Sequence, residues 1–179
     1  MTRNIIVFTS TNGGLLKHLL DNQENLNFKI TSIISDRECG AKKIAKEYDV
    51  DFTRMKSEKI NNLKFLNCDL IITAGYLSIL PRKFIVKNPP IINTHPSLLP
   101  KYGGRGMYGG RVHEAVIKAN EKITGCTAHY IDEGIDTGEI ICQSEVSVNE
   151  NDSAWELGLR VWNAECINLL NAIKIFFER

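Results

Sequence analysis

Apolar residues along this chain gather in short runs separated by polar and glycine-rich breaks. Ile5-Ile6-Val7-Phe8-Thr9-Ser10 is a β-branched run without alternation, the pattern of a strand covered on both faces. It stops at Thr11-Asn12-Gly13-Gly14, and Leu15, Leu16, Leu19 and Leu20 then recur at helical spacing. Phe28 to Ile34 predicts a second strand closing at Ser35-Asp36-Arg37. Gly40 to Tyr48 carries a helical stripe (Ala41, Ile44, Ala45, Tyr48), and Val50-Asp51-Phe52 predicts a short third strand. Asp69 to Gly75 is a fourth strand, running into Tyr76-Leu77-Ser78-Ile79-Leu80-Pro81. A short helix around Arg82 to Val86 precedes a strand at Ile91 to His95, which the prolines at 96 and 100 force out of the sheet.

The second half opens with a helix at His113 to Ala119. Gly125 to Ile131 alternates well enough for a strand, and Asp132-Glu133-Gly134-Ile135-Asp136-Thr137-Gly138 is an acidic turn leading to a strand at Glu139 to Gln143. Ser153 to Phe177 predicts a long closing helix, with Leu157, Val161, Ile167, Leu170, Ile173 and Phe177 as its apolar stripe and Ser153 with Glu156 as a capping box. Strands alternating with helices predict an α/β fold with a mostly parallel central sheet and helices on both faces. No repeat, low-complexity segment or linker interrupts the pattern, so residues 1–179 read as one domain. In such sheets a ligand sits outside the carboxyl ends of the strands, which points to Ser10-Thr11-Asn12, Gly75-Tyr76 and Asn93 to His95.

Composition narrows the partners. Lys and Arg total 22 against 21 Asp and Glu, a net charge of +1 that gives no footprint for nucleic acid or a membrane surface. The five cysteines form no CxxC pair and no zinc-like spacing with histidine, so they read as reduced thiols in a cytoplasmic protein with no metal. Met1-Thr2-Arg3-Asn4 runs directly into a strand, which predicts no leader, and no apolar run reaches bilayer length.

The densest chemistry lies at Asn93-Thr94-His95-Pro96. In an extended strand Asn93 and His95 share a face, so an amide donor and an imidazole are presented together. The acidic turn supplies a third group, Asp136, which either orients and charges an imidazole or serves only as an Asx-turn residue. The strand, glycine loop and helix start at residues 5–20 form either an anion-binding nest or an ordinary tight turn. His18 reads as a surface residue, His113 as the opening of a helix, and His129 as a satisfied core histidine. An amide, an imidazole and a carboxylate suit acyl transfer between nitrogens, with the amide on the oxyanion and the other two moving protons. No serine or cysteine stands in an elbow motif, so direct attack by a substrate amine fits better than an acyl-enzyme.

Asn93-Thr94-His95-Pro96-Ser97-Leu98-Leu99-Pro100, Thr124-Gly125-Cys126-Thr127 and Gly134-Ile135-Asp136-Thr137-Gly138-Glu139-Ile140-Ile141 together resemble the folate-dependent formyltransferases. Gly106-Met107-Tyr108-Gly109 and Val112-His113-Glu114-Ala115-Val116 look most like the phosphoribosylglycinamide formyltransferase branch. The resemblance implies a Rossmann-like formyltransferase fold and 10-formyltetrahydrofolate as co-substrate. It implies Asn93, His95 and Asp136 as the catalytic trio. Tyr76, Leu77, Ser78, Ile79 and Leu80, with Ile131, Asp132, Glu133, Gly134 and Ile135, would line the folate pocket. Thr11, Asn12, Gly13, Gly14 and Glu165 would bind a phosphorylated amine, glycinamide ribonucleotide in purine biosynthesis, in a monomer or homodimer. Three positions depart from that branch, because Gly14 and Leu15 replace its serine and second asparagine, and Ser78 replaces an arginine carried by many relatives. The alternatives are a sugar-nucleotide N-formyltransferase acting on a 4-amino-deoxysugar, and a folate- or nucleotide-binding module without activity.

Overall fold

The computed structural model describes residues 2–178. Two compact units divide the chain, Met1–Asn93 and Thr94–Arg179. The first is built of β1 (Arg3–Phe8), α1 (Gly14–Asn22), β2 (Phe28–Ser35), α2 (Ala41–Glu47), β3 (Asp51–Arg54), α3 (Ser57–Ile60), β4 (Leu70–Thr73), α4 (Arg82–Ile85) and β5 (Ile91–His95), whose last two residues belong to the second. Its strands lie in the order β3-β2-β1-β4-β5, every neighbour parallel. That order explains the non-alternating runs. Ile5, Val7, Phe8, Leu70, Ile71 and Ile72 are buried whichever way their side chains point, because a parallel sheet is covered on both faces. Phe8 anchors an aromatic cluster, its ring 5.4 Å from Tyr76 and 5.6 Å from Phe84, both edge-on.

The second unit holds α5 (Gly110–Lys118), β6 (Ile123–Tyr130), β7 (Ile140–Ser147) and α6 (Ala154–Glu178), with β6 and β7 antiparallel. Val116, Cys126, Leu157 and Val161 form its core. Ser153 and Glu156 close the expected capping box at the start of α6, with Ser153 N–H donating to Glu156 Oε2 at 2.9 Å and Glu156 N–H to Ser153 Oγ at 3.2 Å.

Three readings of the pattern need correction. Ile167 is 62% exposed, because the buried face of α6 runs through Leu157, Val161, Glu165, Leu169 and Ile173 and admits two polar residues, Glu165 and Asn168. Asn168 tolerates burial because it accepts from Ser144 Oγ at 3.0 Å and donates to the Cys142 carbonyl at 3.3 Å. β7 extends four residues beyond Gln143 to Ser147, since its backbone pairs with β6 along its length while polar side chains face outward. α5 begins at Gly110, so His113 lies inside the helix and is buried.

Gly13 caps α1 with φ +84°, and a Cβ there would stand 2.7 Å from Ile44 Cδ1 and 3.2 Å from the Ala41 Cα. Strain and clash therefore act together at this turn. Gly13→Ala is expected to cost about 1–3 kcal/mol, read as a lower urea midpoint with an unchanged slope. An unchanged midpoint would show that the turn relaxes without cost.

Candidate active site

Asn93 and His95 stand at alternate positions of β5 and so project to one face of the strand, while Thr94 projects to the other. Thr73 Oγ1 donates to Asn93 Oδ1 at 2.6 Å. That bond fixes the amide with its carbonyl toward β4 and its NH2 as the donor end. The chain then leaves the sheet through a loop pinned by one hydroxyl. Thr127 Oγ1 donates to the Ser97 carbonyl at 2.6 Å and accepts from Leu99 N–H at 3.0 Å and Gln143 Nε2 at 2.9 Å.

His95 is 5% exposed, and both ring nitrogens have definite partners. A carbonyl can only accept, so Nε2 donates to the Tyr102 carbonyl at 2.8 Å. Nδ1 faces Asp136 Oδ2 at 3.5 Å.

Asp136 is no simple turn residue. Asp132 performs that task, accepting from Gly134 N–H at 2.9 Å and Thr137 Oγ1 at 2.7 Å. Asp136 instead adopts a left-handed backbone, φ +57°, and sends its carboxylate to Gly104 N–H at 2.9 Å and to His95.

His129 is the residue that sequence reasoning left in the core. It is buried, with Nδ1–H donating to the Tyr130 carbonyl at 2.9 Å, but its Nε2 lies 3.8 Å from Asp136 Oδ1. Burial pushes its pKa down, against the pull of the Tyr130 carbonyl and Asp136, so the ring is neutral near pH 7 and turns a lone pair toward the carboxylate. A signal existed. Thr127 and His129 are two polar residues at strand spacing in a buried strand, the same arrangement as Asn93 and His95.

The other two histidines also depart from expectation. His113 packs against Gly158, where a Cβ would stand 2.9 Å from its ring, and burial followed by the charge of His95 lowers its pKa. His18 is half-buried rather than on the surface.

In the first unit, the loop after β4 turns Leu77 and Ile79 outward, 45% and 64% exposed, with Tyr76 and Ser78 half-buried. Leu80 is buried, 6% exposed. In the second, Asp132, Glu133 and Gly134 are exposed and Ile131 and Ile135 half-buried. At the glycine loop, Thr11 Oγ1 is occupied by Thr9 Oγ1 at 3.2 Å and by Gly13 N–H at 3.3 Å. Lys17 N–H starts the helical ladder on the Gly13 carbonyl, so the N–H groups of Gly14, Leu15 and Leu16 are the helix-end donors. Asn12 is exposed.

Glu165, expected from the resemblance to contact the acceptor, lies in a buried position on α6. It is 7% exposed and accepts from Thr94 Oγ1 at 3.0 Å, so it serves the face of β5 opposite Asn93 and His95. Burial pushes its carboxyl up to about 7, and burial with Glu165 nearby pushes the Cys126 and Cys166 thiols up to about 12 and about 11. Neither thiol is a thiolate nucleophile near neutrality. Among the described residues no group of three or more His, Cys, Asp or Glu side chains is arranged to hold a metal ion, and no helix is long and apolar enough to cross a membrane.

Glu165 sets a pH dependence of stability. Its native pKa is raised above the ordinary 4.5, so its contribution is full below that value and is lost as pH rises through about 7. Glu165 alone is expected to remove up to about 3 kcal/mol of stability between pH 5 and pH 8, against an opposite gain from His113 and His129, whose lowered pKa values favour the fold as pH rises. Urea melts of wild type and Glu165→Gln across this range isolate the carboxyl, and a difference between the two that does not change with pH would refute the assignment.

Comparison with known proteins bears on the whole arrangement. The profile of the Formyl transferase family matches residues 3–173. A curated relative, "Phosphoribosylglycinamide formyltransferase, chloroplastic" of Vigna unguiculata, is 34% identical over 178 residues, a match covering 91% of this chain and 57% of that protein. The chain thus spans little more than half the length of that relative. Glycinamide ribonucleotide transformylase 1 of Symbiobacterium toebii superimposes with a TM-score of 0.87 at 27% identity, covering 99% of this chain and 88% of its own. Phosphoribosylglycinamide formyltransferase of Anaplasma phagocytophilum does so with a TM-score of 0.84 at 31% identity, covering 99% and 89%.

Proposed function

This chain belongs to the formyl transferase family, and we propose that it moves the formyl group of 10-formyltetrahydrofolate to the primary amine of glycinamide ribonucleotide, in purine biosynthesis. The carrying observation is the His95–Asp136 pair, with Asn93 two residues before His95 on the same face of β5, in a chain similar along its length to proteins of that name. The chain acts as one catalytic domain. Its five cysteines are all free, which suits a reducing cytoplasm.

The residues present suit the donor. A reduced pterin is a flat ring with an edge of donors and acceptors, and the 76–80 loop offers exposed Leu77 and Ile79 beside backbone outside any strand ladder. When bound, the donor supplies the formyl carbon that the amine attacks.

Attack leaves negative charge on the carbonyl oxygen and positive charge on the nitrogen. The Asn93 amide, oriented by Thr73, donates to the oxygen. His95 and Asp136 hold the proton that the collapsing adduct needs and accept the one it sheds. A water beside Asp136 would carry the proton from the amine to the carboxylate.

The acceptor's phosphate would meet the N–H groups at the start of α1. Gly14 and Leu15 offer no side-chain donor there, which favours one second reading, a 4-amino-deoxysugar nucleotide as acceptor. Tetrahydrofolate release assayed with each amine decides between them, and turnover with the sugars alone would overturn the glycinamide assignment.

Asn93→Ala should lower turnover roughly 10²–10³-fold, the usual scale for one oxyanion donor. Asp136→Asn keeps the shape and removes the charge. It should lower turnover by about 10² or more while tetrahydrofolate still binds. A fully active Asp136→Asn chain would return this residue to a turn role.

A further inference from the structure

The most heavily engaged carboxylate in the first unit belongs to none of the roles above. The Asp36 side chain, at the end of β2, is only 6% exposed. It accepts four hydrogen bonds: Ser10 Oγ at 2.6 Å and Arg37 Nε at 2.9 Å on Oδ1, Ser78 Oγ at 2.6 Å and Arg37 Nη2 at 2.7 Å on Oδ2. Four bonds saturate a carboxylate, so Asp36 has no capacity left for a ligand and acts only through its partners.

Those partners lead to one place. Ser10 ends the β1 run and Ser78 lies in the loop after β4. Ser10 Oγ, while donating to Asp36, accepts Leu77 N–H at 2.9 Å, and Ser10 N–H donates to the Gly75 carbonyl at 3.0 Å. Gly75 allows this approach, with φ +70° and a would-be Cβ only 2.8 Å from Thr11 Cγ2. Residues 76–80 belong to no helix or strand, and two of them turn large apolar side chains toward solvent. Such a segment gains nothing from burial at Leu77 and Ile79 and has no ladder to hold it, so its ordering entropy is met by these fixed bonds.

We propose that Asp36 is a positioning residue for the donor. Through Ser10 and Ser78 it holds the Tyr76–Leu80 loop in the shape that receives the pterin. This rests on the reading of that loop as donor-binding. The Arg37 guanidinium holds the Asp36 carboxyl well below the usual carboxylate range, so the clamp stays charged throughout the pH range of an activity assay.

Two measurements test it on the full chain: calorimetric titration with tetrahydrofolate, and amide hydrogen exchange at Leu77. Asp36→Asn and Ser78→Ala should each weaken tetrahydrofolate binding about tenfold or more and speed exchange at Leu77. In the formyl-transfer assay Asp36→Asn should raise the Michaelis constant for the donor, with turnover and the acceptor's constant within about threefold of wild type. Ser78→Thr keeps the hydroxyl and should restore binding, which a merely structural loss would not predict. A wild type that binds tetrahydrofolate beside variants that bind equally well overturns the inference alone. A wild type that binds none overturns the donor reading and the inference with it.

Discussion

The second unit is organised around a carboxylate that cannot be satisfied by its own turn. Asp136 is held at positive φ, so its side chain points away from the local backbone and toward the loop that follows β5. Gly104 N–H fixes one oxygen, and imidazoles approach both. Each of those rings gives its N–H to a backbone carbonyl, of Tyr102 or of Tyr130, and meets the carboxylate with its other nitrogen. Asp136 thus presents its two oxygens to one nitrogen of each ring, Nδ1 of His95 at 3.5 Å and Nε2 of His129 at 3.8 Å. Under the proposed formyl transfer, a proton leaving the attacking amine meets three groups already aligned.

Much of this was legible in the sequence. Unbroken apolar runs gave the parallel strands, because burial on both faces removes alternation, as at Ile5 to Phe8 and Leu70 to Ile72. The capping box and the glycine turn at Gly13 are local chemistry and read directly. Asn93 and His95 stood out because polar groups at strand spacing in a buried strand are costly without a purpose. What stayed hidden depends on contacts distant in the chain. His129 looks like any core histidine until Asp136 is placed against it, and Asp36 looks like a turn residue until Ser78 reaches it from 42 positions away. Ile167 misled because one apolar residue out of phase is invisible beside a correct stripe.

Glu165 shows a different limit. Family resemblance suggested a contact with the acceptor but not the solvation of the carboxyl, which lies against Thr94 with its pKa raised by burial. A motif reports which residue type occupies a position. It does not report the side chain's solvation, which decides whether that residue presents a charge or a neutral hydrogen-bonding group.

β5 has one further consequence. It is five residues long and assigns opposite duties to its two faces: Asn93 and His95 on one, Thr94 with its buried carboxyl partner on the other. Because the side-chain period is two, a shift of a single residue would exchange those faces entirely. Loss or gain of one residue between Pro90 and Asn93 would turn a hydroxyl to the reacting side and drive an amide and an imidazole into apolar packing. The strand is therefore a ruler with one-residue graduations. Length variation in β5 would upset both faces of the strand in a single event.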